Sequence, residues 1–460
     1  MTDLSSQLPV EPPSASLTEA RPTAPSLARS SASRFLADAA GLVFGLVSAV
    51  VTARGLGPSG KGLFSSLTLL MGIVVCVCSM GLGEAAVVMV GQKKATLQEA
   101  LSATTSALIG LSVMGMAVLW GTALLAFGND WHLLRGAVIL SCLSLPVAVL
   151  ASSLAYLLSA QERVSAQSAV VGTMSILTGV AMVVFVGIIP LSIAGGVLAN
   201  MVGSGSGMAL AWWLLRRTGL SFRLRLDRSY LAPALRYGAS VAVSYVVTVM
   251  LLRVDVLLTY ALDGPTSAGH YSVSLALAAL VGLLPLAISA GTFPRLAKMT
   301  EADAKELTAQ ACRYGAAAGI AVALGLLVAV PVALPLLFGT AYRPAVVPAL
   351  ILLPGSIFWS VQWILCRAAA ARGRPGLLLK SFLLGLAVMS GLDLLLIPVA
   401  GITGAALAGV AGPFAGLLLC LWSYHRSPVW SVDLPALVPR FADFSAFARR
   451  SLRLVPFPRR

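Results

Sequence analysis

The sequence predicts an all-α polytopic membrane protein with about twelve transmembrane helices arranged as two parallel-repeated six-helix lobes. Three observations predict it. The 460 residues are 58% hydrophobic and only 11% charged, with a mean hydropathy of +0.92. A soluble globular chain carries about 25% charged residues, so too little polar side chain is present to cover a water-soluble particle. Apolar runs of about 20 residues recur along the chain, the length that crosses a hydrocarbon core of about 30 Å. Finally, Gly57-Pro58-Ser59-Gly60-Lys61-Gly62-Leu63-Phe64-Ser65 and Gly264-Pro265-Thr266-Ser267-Ala268-Gly269-His270-Tyr271-Ser272 carry nearly the same pattern about 207 residues apart. Pro and Gly at these positions mark a tight turn between two apolar segments, and a turn written twice points to a duplicated unit.

Residues 1–34 are rich in Pro, Ser and Ala without periodicity and are expected to be a disordered cytoplasmic tail. No short apolar segment ending in a small-residue cleavage site follows a charged start, so no cleaved leader is expected. Spans are predicted at about 35–53, 63–90, 99–127, 136–159, 169–188 and 191–215, and again at about 237–262, 266–292, 310–338, 344–367, 376–398 and 401–424. The N-terminal lobe then covers 35–215, a basic cytoplasmic linker 216–236, and the C-terminal lobe 237–424. Residues 425–460 form a basic cytoplasmic tail. Within it the spacing of Phe441, Phe444, Phe447 and Ala448 with Arg449, Arg450 and Arg453 fits an amphipathic helix lying on a membrane surface.

The net charge of +15 invites a nucleic-acid reading, but the placement of the charge opposes it. With the N-terminus inside, every Lys and Arg falls on the inner side except Arg54, Lys61, Arg135, Arg343 and the in-span Arg253. That is the positive-inside pattern, with both termini cytoplasmic in the plasma membrane. The basic excess faces anionic headgroups, making membrane lipids the expected partners and nucleic acid not one. The linker, with Arg216, Arg217, Arg223, Arg225, Arg228 and Arg236 against Asp227, reads first as a topology anchor.

The duplication extends past the turns. Phe127-Gly128-Asn129-Asp130-Trp131 matches Phe338-Gly339-Thr340-Ala341-Tyr342, and Ala160-Gln161-Glu162-Arg163 matches Ala371-Arg372-Gly373-Arg374, both offset by about 211. Ile193-Ala194-Gly195 matches Ile402-Thr403-Gly404 at about 209. A unit of six helices inserts twice in the same orientation, so the lobes are related by an axis along the membrane normal.

No catalytic constellation emerges. His132, His270 and His425 have no Cys or acidic partner at ligand spacing, and the six cysteines all fall inside spans without a Cys-x-x-Cys pair. Gly203-Ser204-Gly205-Ser206-Gly207 lies inside an apolar span and reads as a close-packing surface rather than a phosphate loop. Neither metal nor cofactor is expected.

What remains is the set of charges in or beside hydrocarbon, where each costs at least ~2.5–3.5 kcal/mol and faces a bundle interior or a wet cavity. Asp38 follows Arg34 by four residues, which suits a local ion pair; Glu84 has no basic residue nearer than Lys93; Asp393 lies near the outer end of its span. Arg253 and Asp255 are two apart on one helix and point about 200° from each other, so each needs a partner elsewhere. Two interhelix ion pairs would satisfy them. Alternatively Arg253 faces an anionic substrate in a cavity between lobes, with Arg54 as a second cation rather than an interfacial arginine. Glu84, Asp255 and Asp38 are then the candidates for ion coupling.

Thr52-Ala53-Arg54-Gly55-Leu56-Gly57-Pro58 with Gly62-Leu63-Phe64 resembles the first-helix signature of the bacterial polysaccharide and oligosaccharide flippases. These belong to the multidrug/oligosaccharidyl-lipid/polysaccharide exporter superfamily. Arg253-Val254-Asp255 followed by Gly269-His270-Tyr271-Ser272-Val273 resembles their seventh and eighth helices. Phe338-Gly339-x-x-Tyr342, Ile397-Pro398 and Gly401-Ile402-x-Gly404-Ala405-Ala406 resemble their later segments. The resemblance implies two lobes around a central cavity that opens alternately to each side. It also implies a polyprenyl-pyrophosphate-linked glycan as substrate, moved from the inner to the outer leaflet, with a glycan polymerase or glycosyltransferases as further partners. The alternative is an ion-coupled drug exporter of the same superfamily. A major facilitator is disfavoured because Gly91-Gln92-Lys93-Lys94-Ala95-Thr96 contains no acid. An enzyme acting on lipid-linked glycans would need a sizeable external loop, and none is predicted.

Overall fold

The computed structural model describes residues 24–426 apart from 162, 222–224, 297, 298, 373 and 375. Among them the long elements are all helical. The first half holds α1 (Ala24–Ser79), α2 (Leu82–Gly91), α3 (Leu97–Ala126), α4 (Trp131–Ala160), α5 (Val164–Met182) and α6 (Ser192–Arg216). The second holds α7 (Arg228–Ala278), α8 (Leu283–Leu296), α9 (Glu301–Phe338), α10 (Val346–Ala371) and α11 (Gly376–His425).

Three apolar helical stretches, Ala40–Gly91, Arg228–Ser289 and Gly376–His425, have 52, 62 and 50 residues. A straight 50-residue helix measures about 75 Å, too long for one crossing. Each is broken by a glycine outside helical geometry: Gly57 (φ 68°), Gly264 (φ 87°) and Gly401 (φ 55°). Side chains without a Cβ adopt these positive φ values at little cost. Contacts across each break show the chain folding back. Lys61 Nζ donates to Thr52 Oγ1 at 2.7 Å, and Tyr271 Oη donates to Asp255 Oδ2 at 2.7 Å. Gly385 and Gly412 meet backbone to backbone across the third break. With these reversals the described helices make the dozen passes the hydropathy predicts, and the chain is a multi-pass membrane protein.

Helices α1–α6 pack mainly on one another and α7–α11 likewise, with α7 crossing onto α1 and α2. The Gly-Pro turns lie together at one end of the bundle, called the turn end here. The linker and the outermost described residues lie at the opposite, linker end. At the linker end Arg216 stands over Trp212, Arg217 over Trp213 and Arg426 over Trp422, with 4.9, 3.7 and 4.5 Å from guanidinium to ring centre. This arrangement suits a membrane interface.

Two boundaries differ from expectation. Helix α1 begins at Ala24, so the last eleven residues of the stretch 1–34 expected as a tail belong to it. Helix α7 begins at Arg228, because Asp227 Oδ1 caps it by accepting from the Ser229 amide at 3.0 Å. Only residues 217–227 of the expected linker 216–236 therefore connect the lobes. That connection is fastened to the first lobe. The Gln98 side chain pairs with both backbone groups of Ser221, and the Arg225 amide donates to Ser106 Oγ at 3.0 Å. The amphipathic segment expected around 441–450 lies outside the described residues.

Candidate functional site between the lobes

The turn end is a seam in which the duplicated motifs clasp each other. Helix α1 just after its turn lies against α7 just after its own. A Cβ on Gly62 would sit 1.8 Å from the Pro265 carbonyl oxygen, and one on Gly269 would sit 1.9 Å from that of Pro58. Only glycine permits backbones this close. The second repeated motif closes the same seam. Each copy forms a 3-10 turn, Gly128–Asp130 or Thr340–Ala345, and reaches the outer part of the opposite lobe's first helix. Tyr342 Oη donates to the Ala53 carbonyl at 3.0 Å. In the other direction Tyr260, which occupies the place of Ala53 in the second copy, donates to Asp130 Oδ2 at 2.7 Å and packs on Phe127. The Gly-Pro turn, expected only as a connection between helices, is thus half of an interlobe contact.

Arg54 belongs to this seam. Its Nε donates to the Leu337 carbonyl at 2.7 Å and its Nη2 to that of Leu336 at 2.6 Å. A cation on the last carbonyls of α9 meets the negative end of that helix. Arg54 is therefore engaged across the lobes.

Arg253 and Asp255 do point apart. Asp255 is 2% exposed and faces the C-terminal lobe, where its Oδ2 accepts from Tyr271 Oη and its Oδ1 from the Val256 amide at 2.9 Å. Tyr271 Oη also lies 3.3 Å from the Ala405 carbonyl. Asp393 lies within electrostatic reach of both Asp255 and Tyr271. It is wholly buried, and neither carboxylate oxygen has a hydrogen-bond partner among the described residues. Although Asp393 lies near the end of its span, packing around it leaves no path to the surface. One buried carboxylate bonded to a tyrosine and a second, unsatisfied, within electrostatic reach of it form a set suited to a small cation or a proton.

Arg253 is exposed and faces the other way. It makes no ion pair with a described residue, and its charge acts on Lys61 of the opposite lobe. Lys61 was placed at an external turn by the hydropathy pattern. The structure turns it inward: it is 8% exposed, bonded to Thr52 Oγ1, with its ammonium 5.7 Å from the Phe64 ring centre. The available signal was its position inside a close-packed repeated motif whose other copy has Ala268 there.

Toward the linker end, the hydroxyls of Tyr156 in one lobe and Tyr245 in the other lie 3.2 Å apart, with the charge of Glu84 acting on both. Arg367 acts on Tyr245 from the C-terminal lobe. Glu84 opens on a cavity of about 660 Å³ lined also by Tyr156, Gln167, Ser175 and Tyr237. Nearby the lobes touch again, where a Cβ on Gly238 would sit 2.2 Å from the Met80 carbonyl oxygen. No sequence spacing could have joined Tyr156 to Tyr245, since they stand in different lobes. The side chain of Asp38 lies outside the described residues, although its backbone belongs to α1. Gly203 and Gly207 pack against Thr178 and Met174 of α5, as the close-packing reading requires.

A family model described as polysaccharide biosynthesis protein matches residues 27–300. No curated protein matches significantly. Among solved structures, lipid II flippase MurJ in an inward closed conformation is 13% identical, with 93% of each chain covered and a TM-score of 0.71. An inward-facing multidrug resistance MATE family transporter of the MOP superfamily is 15% identical, covering 89% of this chain and 96% of that one, with a TM-score of 0.68. An outward-facing transporter of that family scores 0.56, at 14% identity over 92% and 96% of the two chains. These likenesses concern the fold.

Proposed function

We propose, for a chain that belongs to the polysaccharide biosynthesis protein family, that it is a transporter carrying a polyprenyl-pyrophosphate-linked oligosaccharide or related precursor between membrane leaflets by alternating access. The observation that carries this reading is Arg253. It is a permanently charged group, exposed within a long apolar helical stretch and without an ion pair to a described residue. Such a charge is costly in hydrocarbon unless water or an anion meets it. A pyrophosphate headgroup needs a cationic, hydrated route, while its isoprenoid tail can stay in the bilayer. The planar guanidinium fork matches phosphate oxygens.

In this reading Arg54 acts at one remove from the substrate, holding the outer ends of the lobes together. Asp255, with Asp393 beside it, couples the cycle to a cation gradient, and Glu84 and Asp38 are further coupling acids on the N-terminal side. Both termini face the cytoplasm, the linker end opens to the inner leaflet, and the turn end opens outward. The enzymes that build or polymerise the glycan act before and after the transporter.

The test is Arg253→Ala in cells and in proteoliposomes. The variant is expected to remain in the membrane at wild-type levels while lipid-linked glycan accumulates on the inner leaflet. Undiminished export by this variant would remove the role given to Arg253. A protein-free deletion strain that accumulates no lipid-linked glycan would remove the substrate class.

A further inference from the structure

A second cavity, of about 460 Å³, lies at the linker end, where α2 ends and α3 and α7 begin. That volume is in the range of ligand sites. Met89, Tyr230 and Pro233 give it apolar walls, while Lys94, Glu99 and Asp227 bring charge of both signs to it. Among the described residues no ion pair joins these three charges. Both carboxylates are oriented by capping. Glu99 Oε2 accepts from the Thr96 amide at 3.0 Å, and Asp227 Oδ1 accepts from the Ser229 amide at 3.0 Å and hydroxyl at 2.6 Å. An ionised carboxylate has about four lone-pair sites, so each keeps acceptors to offer. The apolar stretches Ala40–Gly91 and Leu97–Ala126 stop on either side of Lys94, and residues 91–94 are exposed. The cavity therefore sits at the border of the hydrocarbon, where lipid headgroups lie.

Electrostatics select the ligand. A plain anion would meet two carboxylates, and a metal cation would meet Lys94. A ligand carrying both an ammonium and a phosphate satisfies all three groups. We propose that this cavity seats the phosphoethanolamine headgroup of a membrane lipid, with its ammonium on Glu99 and Asp227 and its phosphate on Lys94, and that the bound headgroup holds the linker end shut. The site is distinct from the residues assigned to transport. Glu99 stands on α3 of the first lobe and Asp227 at the start of α7, and an ammonium with three donors bridges both. Across the same junction Tyr230 Oη lies 3.2 Å from Thr104 Oγ1. Occupancy adds a charged tie to that contact, and opening has to release it.

The experiment titrates the full chain, in micelles free of phospholipid, with dioleoyl phosphatidylethanolamine, and counts bound lipid by native mass spectrometry. Phosphatidylcholine with the same chains is the control, since its quaternary ammonium donates no hydrogen bond. Wild type is expected to bind the ethanolamine lipid about tenfold or more tightly than the control, the order set by hydrogen bonds to charged groups. Glu99→Gln with Asp227→Asn removes both charges and keeps both caps, because Gln serves a capping box and Asn an N-cap. It should erase the preference. Lys94→Met should weaken both lipids alike and leave their ratio unchanged. Thermal unfolding checks each variant, and the two single substitutions, each expected to remove part of the preference, replace the pair should it not fold. Trypsin cleavage after the exposed Arg225 and Arg228, in phosphatidylglycerol nanodiscs doped with either lipid, reads the closure. Cleavage should be severalfold slower with the ethanolamine lipid in wild type and equal with both lipids in the double variant. No preference in wild type, a preference that survives the double variant, or cleavage that ignores the lipid each overturns the proposal. Glycerophosphoethanolamine, the soluble headgroup, should compete poorly; competition at the lipid's own affinity would make the ligand a soluble zwitterion and overturn its membrane source.

Discussion

At the first Gly-Pro turn a lysine is buried under the seam and an arginine precedes the turn; at the second, the same places hold Ala268 and Ala261. The glycines and prolines of the two copies nevertheless do the same work on each other, Gly62 against Pro265 and Gly269 against Pro58. The difference separates two demands on the fold. The backbone contact at the heart of the seam is made by the same glycines and prolines in both lobes, so those residues are duplicated. The charged side chains beside that contact, Arg54 and Lys61 against Ala261 and Ala268, are not duplicated.

The comparison can be broken most forcefully at its shared part. Gly62→Leu or Gly269→Leu places side chain where the other lobe's backbone lies, and backbone cannot rotate away. The closed turn end is expected to lose more than about 3 kcal/mol. Export should stop, and a thiol introduced at Lys61 in this background should label rapidly from outside.

The unshared part gives the next effect. Asp393→Asn removes an unpartnered buried carboxylate facing Asp255, and is expected to stabilise the protein by about 1–3 kcal/mol, seen as a raised unfolding temperature. The same variant should lose the dependence of transport on the driving cation. A destabilised Asp393→Asn protein that remains cation-dependent would show that this acid serves the fold instead.

Arg54→Ala deletes two bonds to the end of α9 at an exposed site, where charge-assisted contacts are screened. About 1 kcal/mol is expected, visible as faster labelling of the seam with pyrophosphate binding largely kept. The smallest effect concerns Asp227. Its carboxylate is held below the usual range by the Ser229 hydroxyl and amide, so its capping contribution is complete at neutral pH and is lost as pH falls through that lowered value. Asp227→Asn, which also caps, should match wild type at pH 7 and show a flatter decline in unfolding temperature between pH 5 and 3.

The passes and the duplication were legible because both are written locally: apolar length, and short motifs at near-constant offset. The partition of Arg253 and Asp255 to opposite faces followed from helical spacing alone. The destination of each did not, since Asp393 and Lys61 come from other helices and Tyr271 from beyond the break at Gly264, and only packing brings them near. Lys61 misled for a physical reason. Hydropathy places a lysine beside a turn in water, whereas here the opposite lobe covers that turn. The broken helices were legible as turns, but their closure against each other involves residues more than 200 positions apart.

The reciprocal clasp has a consequence for inheritance. Asp130 depends on a hydroxyl at Tyr260, and Ala53 receives one from Tyr342, so each half of the chain carries the complement of the other. A chimera joining the first six helices of one family member to the last six of another would fold as two sound lobes and still fail as a machine wherever these pairs were mismatched. Substitutions at 130 and 260 should therefore be tolerated together more readily than apart, and suppressors of a damaged lobe should be sought in its twin.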